Sequence, residues 1–171
     1  SDALDKLFVK NISTNIEEEL IFSDESVYVP GVSLTQKDRN TDEVHLGYSS
    51  PKTPSRVFKY NLATKSKELV KEQEIPSGHN KDDYIVERVE FKSHDGRLVP
   101  LTITRHKKTQ VDGSANLLLY GYGSYGNSMS PSFSSTRLSL VNRDIIWATA
   151  HIRGGMEKGM KWWKEGKLTN K

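Results

Sequence analysis

The sequence of 171 residues contains no cysteine. Disulfides, thiolate metal sites and cysteine nucleophiles are therefore excluded, and the chain is compatible with the cytosol. No stretch approaches the run of about 18 apolar residues that a transmembrane helix needs. The first ten residues, SDALDKLFVK, lack both an initiator Met and the apolar core of a signal peptide, which suits an internal or processed piece of a longer chain. We expect a cytoplasmic protein with no membrane partner.

Charge of one sign is also scarce. The formal net charge is only +3, and most of the excess lies after Met156, where five lysines accompany two glutamates. Such a small and local excess does not indicate nucleic-acid binding. The mean hydropathy of −0.64 is polar, but fifteen aromatic residues and clear strand patterns argue against disorder.

Metal ligands in a recognisable pattern are missing as well. The five histidines, at positions 45, 79, 94, 106 and 151, show no ligand spacing, and each is better explained as a structural residue. We therefore expect neither a metal nor any other cofactor.

Residues 1–75 are predicted to be all-β. Short apolar runs recur between turn formers such as Pro30-Gly31, Asp38-Arg39-Asn40 and Ser50-Pro51. The run at residues 57–62 alternates apolar and polar residues and returns through Ala63-Thr64-Lys65 as a hairpin. Antiparallel strands at this spacing suit a sandwich, a barrel or the blades of a propeller. The other runs are Leu7-Phe8-Val9, Leu20-Ile21-Phe22, Val27-Tyr28-Val29 and Val44 to Tyr48.

Residues 76–83 are predicted to be a linker, and residues 84–171 form a different pattern. In this part a hairpin precedes a strand, a helix, a second strand and a final helix, which is an α/β arrangement with an antiparallel edge. The predicted elements are strands Tyr84–Lys92 and Leu98–Thr104 around the turn His94–Arg97, the buried-type strand Asn116–Tyr120, helix Ser134–Asn142, strand Ile145–Ile152 and helix Met156–Lys171.

The loop from Gly121 to Gly126 matches the pattern G-x-G-x-x-G and follows a strand. In dinucleotide-binding proteins these glycines let the backbone approach a pyrophosphate at the start of a helix. Arg153, at the end of the next strand, stands where a 2′-phosphate would lie. However, residues 127–132 are a poor helix start. The alternative is a glycine loop that only joins a strand to a helix.

The same loop was compared with the sites of serine hydrolases. Ser124-Tyr125-Gly126 supplies half of the nucleophile motif G-x-S-x-G, but Tyr122 stands where the first glycine is required, and no other serine fits. The loop does follow the third predicted strand of residues 84–171, and the loop at that place contributes to the oxyanion hole of α/β-hydrolases. A tyrosine hydroxyl there could donate to a developing oxyanion. The alternative is that its tyrosines are ordinary loop aromatics.

Several segments together resemble the prolyl oligopeptidase family of serine peptidases. Within that family, the Ser124-Tyr125 pair after Gly123 resembles the oligopeptidase B branch. The resemblance runs from about Val44 to Lys171 and extends more weakly back to Glu17. The segments that carry it are LLLYGYGSYG at residues 117–126, Pro131-Ser-Phe133, Arg137-Leu138, AHIRGG-x-E-x-G from Ala150, and Trp162 or Trp163.

The resemblance implies a β-propeller followed by an α/β-hydrolase domain. Residues 1–75 would be the end of the propeller, and residues 84–171 would be the beginning of the hydrolase domain, truncated before the nucleophile elbow. Tyr122 would donate its hydroxyl to the oxyanion, with no cofactor. The complete enzyme would cleave short peptides after Lys or Arg.

The resemblance also implies what these residues do not supply. The Ser, Asp and His of the triad would lie after Lys171, so His151 would not be the catalytic histidine. The fragment alone would be inactive, and its uncovered edges would favour self-association. Two other functions stay open: a dinucleotide-binding oxidoreductase fragment using Gly121, Gly123 and Gly126, and a non-catalytic β-rich interaction module.

Overall fold

The computed structural model describes residues 4–21, 23–33 and 40–170. These residues form two short strands, two four-stranded sheets and two helices. The strands are β1 (Phe8–Lys10), β2 (Glu17–Glu19), β3 (Val29–Val32), β4 (Glu43–Ser49), β5 (Arg56–Asn61), β6 (Lys67–Glu72), β7 (Tyr84–Lys92), β8 (Leu98–His106), β9 (Leu117–Tyr120) and β10 (Ile146–Ala150), and the helices are α1 (Ser135–Val141) and α2 (Met160–Lys164).

The first sheet is an antiparallel meander in the order β3-β4-β5-β6. Its core is formed by Leu46, Tyr48 and Tyr60, with Phe58 packed against them. The alternation in β5 and the hairpin into β6 are as predicted, and Asn61 stabilises the turn by accepting hydrogen bonds from the amides of Ala63 and Thr64. In the described residues the sheets form no closed barrel.

Two details of the first half differ from prediction. Pro30-Gly31 is not a turn but lies inside β3, opposite Tyr48 and Gly47. Proline is tolerated there because β3 is at the edge of its sheet and needs to donate on one side only. The strand predicted at Leu20-Ile21-Phe22 is displaced, since β2 ends at Glu19. Phe22 and two residues of a predicted turn, Asp38 and Arg39, lie outside the described residues.

The second sheet has the order β7-β8-β10-β9 and is mixed. The hairpin β7–β8 turns at residues 93–97, where Gly96 has φ +83°. Strand β10 is antiparallel to β8 and parallel to β9. A parallel connection needs a crossover, and α1 supplies it between β9 and β10. The predicted hairpin–strand–helix–strand order is therefore found.

Helix α1 fits its predicted place because both ends are capped. The Ser134 side chain accepts a hydrogen bond from the Arg137 amide at the N-terminus. Leu138 and Val141 are buried against the sheet together with Tyr84. The Tyr84 hydroxyl donates to the side chain of Asn142 at 2.9 Å, which fixes the end of the helix to β7.

The final helix is much shorter than predicted. Instead of running from Met156 to Lys171, it covers only Met160–Lys164, because Gly159 has φ +85° and interrupts the chain before it. Met156 therefore lies outside the helix, although the prediction placed it at the start. Trp162 is the buried residue, and its indole N–H donates to the carbonyl of His151 at 3.1 Å. No helix in the described ranges is long and apolar enough to cross a membrane.

Strand β9 is not buried as its apolar run predicted. It is the last strand of its sheet, paired only with β10 among the described residues, and Leu117 and Leu119 are 55% and 60% exposed. An apolar edge strand of this kind is a site for pairing with another chain.

We expect the isolated chain to self-associate through such edges. Size-exclusion chromatography with light scattering over a range of protein concentrations should show oligomers or aggregates. A monomer at every concentration would contradict this expectation.

The predicted linker at residues 76–83 joins the two sheets and is tied to both. The His79 ring stacks on Tyr84, contacts the edge of the Phe133 ring and forms a 2.7 Å hydrogen bond with the Lys52 carbonyl. A short 3₁₀ turn at Lys81–Asp83 follows, and most of the residues before it are exposed. The domain boundaries stay a prediction.

Limited proteolysis tests those boundaries. Trypsin should cleave first at Lys81, between Pro76 and Asp83, since exposed connecting segments are cut before packed strands. Mass spectrometry of the early products identifies the site. Early cleavage inside residues 116–120, with the linker intact, would place the boundary elsewhere.

Candidate functional site

The glycine-rich loop after β9 is packed tightly against the chain that leaves β10. Gly123 has φ +59°, and a Cβ atom on it would collide with the Ile152 side chain and lie 2.6 Å from the Arg153 carbonyl oxygen. The Gly126 amide donates to the Gly154 carbonyl at 2.9 Å. Gly154, at φ +92°, has no room for a side chain either, because it faces the Gly123 carbonyl. These contacts hold the two loops together.

The second half of the loop is a tight turn. The Asn127 amide donates to the Ser124 carbonyl at 3.0 Å, and the two central residues, Tyr125 and Gly126, have φ +56° and +72°. Two central residues at positive φ are typical of a type I′ turn. A bulky residue seldom adopts this conformation. Here Tyr125 is held outward, with 86% of its surface exposed.

Tyr122 lies at the start of this loop, two residues after the end of β9. It is 41% exposed and stands between Gly121 and Gly123. The structure therefore places the predicted oxyanion donor at the surface, on a loop with a constrained backbone. Its catalytic role stays a prediction.

The loop does not have the form of a dinucleotide site. Helix α1 begins only at Ser135, so no helix N-terminus stands directly behind Gly126 to meet a pyrophosphate. Arg153, the proposed partner of a 2′-phosphate, is paired with Asp95 at the β7–β8 turn. The dinucleotide alternative is thus not favoured.

A buried polar cluster lies directly behind the two loops, and sequence reasoning did not identify it. The side chains of His151 and Glu157 are both fully buried, with His151 Nδ1 at 3.9 Å from Glu157 Oε1. His151 Nε2 lies 2.9 Å from the Thr102 hydroxyl, which also accepts a hydrogen bond from Arg88 at 2.6 Å. The sequence signal for this cluster was a His and a Glu six residues apart around Arg-Gly-Gly.

The electrostatics of this cluster favour a neutral histidine beside a carboxylate. Burial lowers the pKa of His151 below its ordinary value, so the imidazole is uncharged at neutral pH. Burial alone would raise the pKa of Glu157, but the facing imidazole and the Met129 amide outweigh it, and the pKa lies below its ordinary value. A buried carboxylate persists only where neighbouring donors stabilise it.

No three His, Asp or Glu side chains in the described part of the chain are grouped so that they could hold a metal ion. Two histidines have other partners: the half-buried His79 hydrogen-bonds to the Lys52 carbonyl, and the buried His151 belongs to the polar cluster.

The sequence is similar to those of known peptidases along its whole length. It is 38% identical over 172 residues to dipeptidyl aminopeptidase BI of Pseudoxanthomonas mexicana, covering all of this chain and 23% of that protein. It is 34% identical over 155 residues to protease 2 of Moraxella lacunata, covering 91% of this chain and 22% of that protein. The chain is homologous to the prolyl oligopeptidase family of peptidases.

The solved structures agree with this relationship. Oligopeptidase B of Trypanosoma brucei superposes with a TM-score of 0.87 at 30% identity, covering 97% of this chain and 24% of that one. Relatives named prolyl oligopeptidase or prolyl endopeptidase are also found. No protein-family model matches the sequence. The chain spans less than a quarter of the length of the curated relatives named above.

The homology covers nearly the whole chain, so it includes the loop with Tyr122 and the turn after β10. The relatives are peptidases, which gives no support to an oxidoreductase or to a non-catalytic interaction module. The resemblance predicted from the motifs is confirmed.

Proposed function

We propose that this chain is part of a serine oligopeptidase of the oligopeptidase B type, in which Tyr122 donates a hydrogen bond to the oxyanion. In this proposal residues 1–75 belong to the end of a β-propeller, and residues 84–171 begin an α/β-hydrolase domain that continues beyond them. The complete enzyme cleaves short peptides after Lys or Arg and acts in the cytoplasm without a cofactor.

The observation that carries the proposal is the place of the Tyr122 loop in the second sheet. It follows the third strand of that sheet in chain order, β9, at the end from which α1 crosses to β10. The loop after the third strand is where α/β-hydrolases place one of their oxyanion donors. The packing of Gly123 against residues 152–154 restricts the loop backbone, and preorganised donors are the most effective at stabilising developing charge.

Two further features support the peptidase proposal. The antiparallel meander β3–β6 has the four strands of a propeller blade. The specificity for basic residues rests on the likeness to oligopeptidase B. Assaying an active enzyme that contains this sequence with matched Arg-, Lys- and Pro-terminated fluorogenic peptides tests that specificity. Preference for Pro would place the chain in the other branch of the family.

The 171 residues alone should not hydrolyse peptides. None of their serines stands in a G-x-S-x-G motif, so no serine nucleophile is available to form the oxyanion that Tyr122 is proposed to stabilise. Enzymes stripped of their triad retain at most about 10³–10⁴-fold catalysis over water, and only where substrate still binds.

Purified chain is assayed with an Arg-terminated fluorogenic peptide, next to the same preparation treated with a serine-directed inhibitor. Inhibitor-sensitive turnover that copurifies with the chain would show that a nucleophile is present among these residues.

A further inference from the structure

The turn after β10 carries a buried carboxylate that the proposed reaction does not use. Glu157 is 2% exposed, and its Oε1 accepts a hydrogen bond from the Met129 amide at 3.0 Å. Its other oxygen, Oε2, is buried without a hydrogen-bond partner in the described residues. A buried carboxylate with so few donors is costly, so its presence calls for an explanation.

Glu157 joins the two segments that hold the Tyr122 loop. Met129 belongs to the chain that leaves this loop, whereas Glu157 itself belongs to the turn after β10. That turn supplies Gly154, whose carbonyl accepts a hydrogen bond from the Gly126 amide. The absence of a Cβ on Gly155 is what makes room for the carboxylate, since a side chain there would collide with Oε2. The loop is thus fixed by Gly126 on one side of Tyr125 and by the Met129–Glu157 contact farther along.

The hydrogen-bond chain behind Glu157 determines how His151 is oriented. Arg88 can only donate to the Thr102 hydroxyl, so that hydroxyl has its own proton left to donate to His151 Nε2. A neutral imidazole that accepts at Nε2 carries its proton at Nδ1, and Nδ1 faces the Glu157 carboxylate. The opposite tautomer would direct a lone pair at the carboxylate. The cluster therefore has one consistent arrangement: hydrogen bonds run from Arg88 through Thr102 to His151, whose Nδ1 faces Glu157 Oε1 at 3.9 Å without a hydrogen bond.

We infer that Glu157 is a positioning residue for the Tyr122 hydroxyl, with His151 and Thr102 buried behind its carboxylate. This inference rests on the proposed function of Tyr122. The carboxylate does not contact the substrate in this role. It acts by fixing the Met129 end of the loop to the turn after β10, so that the tyrosine hydroxyl points at the developing charge in a single orientation.

The test is a double-mutant cycle in an active peptidase that contains this sequence. Glu157→Gln keeps the shape of the side chain but replaces the charge-assisted hydrogen bond from the Met129 amide with a weaker neutral one. It should lower kcat about 10- to 100-fold with KM within twofold, as small misplacements of catalytic groups do. In the Tyr122→Phe background the same change should alter kcat less than twofold, since there is no hydroxyl left to position. Glu87→Gln, at an exposed residue of β7 paired with Arg105, is the matched control and should be silent.

The result that overturns the inference is an equal loss of kcat from Glu157→Gln in both backgrounds, or no loss in either. If Tyr122→Phe alone leaves kcat intact, the donor assignment itself is wrong, and that outcome is visible before Glu157 is changed.

A second pair of variants covers the case in which Glu157→Gln does not fold. Thr102→Val removes the hydroxyl that orients His151 and keeps the shape of the side chain, so it should reproduce the kcat loss. Thr102→Ser keeps a hydroxyl and should retain at least half of the kcat of the unchanged enzyme. Loss in both variants, or in neither, would contradict the inference.

The ¹⁵N NMR shifts of the His151 ring should report a proton on Nδ1; a proton on Nε2 would contradict the arrangement.

Discussion

Replacing Tyr122 with phenylalanine in an active peptidase that carries this sequence should lower kcat about 10²–10³-fold, or about 3–4 kcal/mol of transition-state stabilisation. The phenol hydroxyl is proposed to meet a charge that exists only in the transition state. Its loss therefore falls on kcat, with KM nearly unchanged. The aromatic ring remains, so the free energy of unfolding should change by less than about 1 kcal/mol. Steady-state kinetics with an Arg-terminated peptide and urea denaturation measure the two quantities.

Tyr125→Phe is the matched control for that change. Tyr125 lies three residues along the same loop, but the turn holds it outward with 86% of its surface exposed. Removing its hydroxyl should leave kcat nearly unchanged. Full kcat in Tyr122→Phe, or a damaging effect of Tyr125→Phe, would mean that the donor has been assigned to the wrong tyrosine.

Gly123→Ala should be one of the most destabilising single changes in this chain, at about 2–5 kcal/mol. Two effects add at this position. A left-handed backbone costs a non-glycine residue about 1–2 kcal/mol, and forcing a methyl group into packed surroundings costs about 1–3 kcal/mol more. The surroundings cannot yield easily, since one of the colliding atoms is the Arg153 backbone carbonyl. A loss of this size is a large part of the stability of an ordinary domain.

Gly113→Ala separates the two effects. Gly113 also has positive φ, at +92°, but nothing lies within 4 Å of where its Cβ would be. It should therefore lose only the conformational part, about 1–2 kcal/mol. Urea denaturation of both variants, followed by tryptophan fluorescence, makes the comparison. Equal losses at the two glycines would show that the packing of the Tyr122 loop against residues 152–154 does not constrain it.

Much of the secondary structure could be predicted from the sequence, because it depends on local patterns. The alternation in residues 84–92 and the turn at residues 94–97 predicted β7 with the correct bounds and the hairpin into β8, which runs two residues beyond the predicted Thr104. Ser134 and Asn142 marked the ends of α1; the Ser134 side chain caps the N-terminus by accepting from the Arg137 amide. The glycine pattern at residues 121–126 marked a loop with unusual backbone, and it lies within one of the segments that carried the family resemblance.

Prediction failed where neighbours in space decide the outcome. The apolar run of β9 resembled a buried strand, since hydrophobicity alone cannot tell an edge from the middle of a sheet. Pro30-Gly31 resembled a turn, but pairing with β4 made it part of a strand. The lysine-rich tail resembled one long helix, and the packing of Trp162 under His151 together with the positive φ of Gly159 confined it to one turn and a half.

By itself, then, the sequence determined the strand-and-helix order, the family and the loop on which a donor would stand, because these follow from residue types and their spacing along the chain. Only the tertiary structure brought Thr102 of β8 together with His151 and Glu157 of the chain after β10 and buried all three. The spacing of His151 and Glu157 along the chain did not show that the Glu157 carboxylate is buried beside the imidazole. The pKa and the contacts of a buried carboxylate depend on the groups around it. For Glu157 those groups are brought together by the packing of β8, β10 and the loop at Met129.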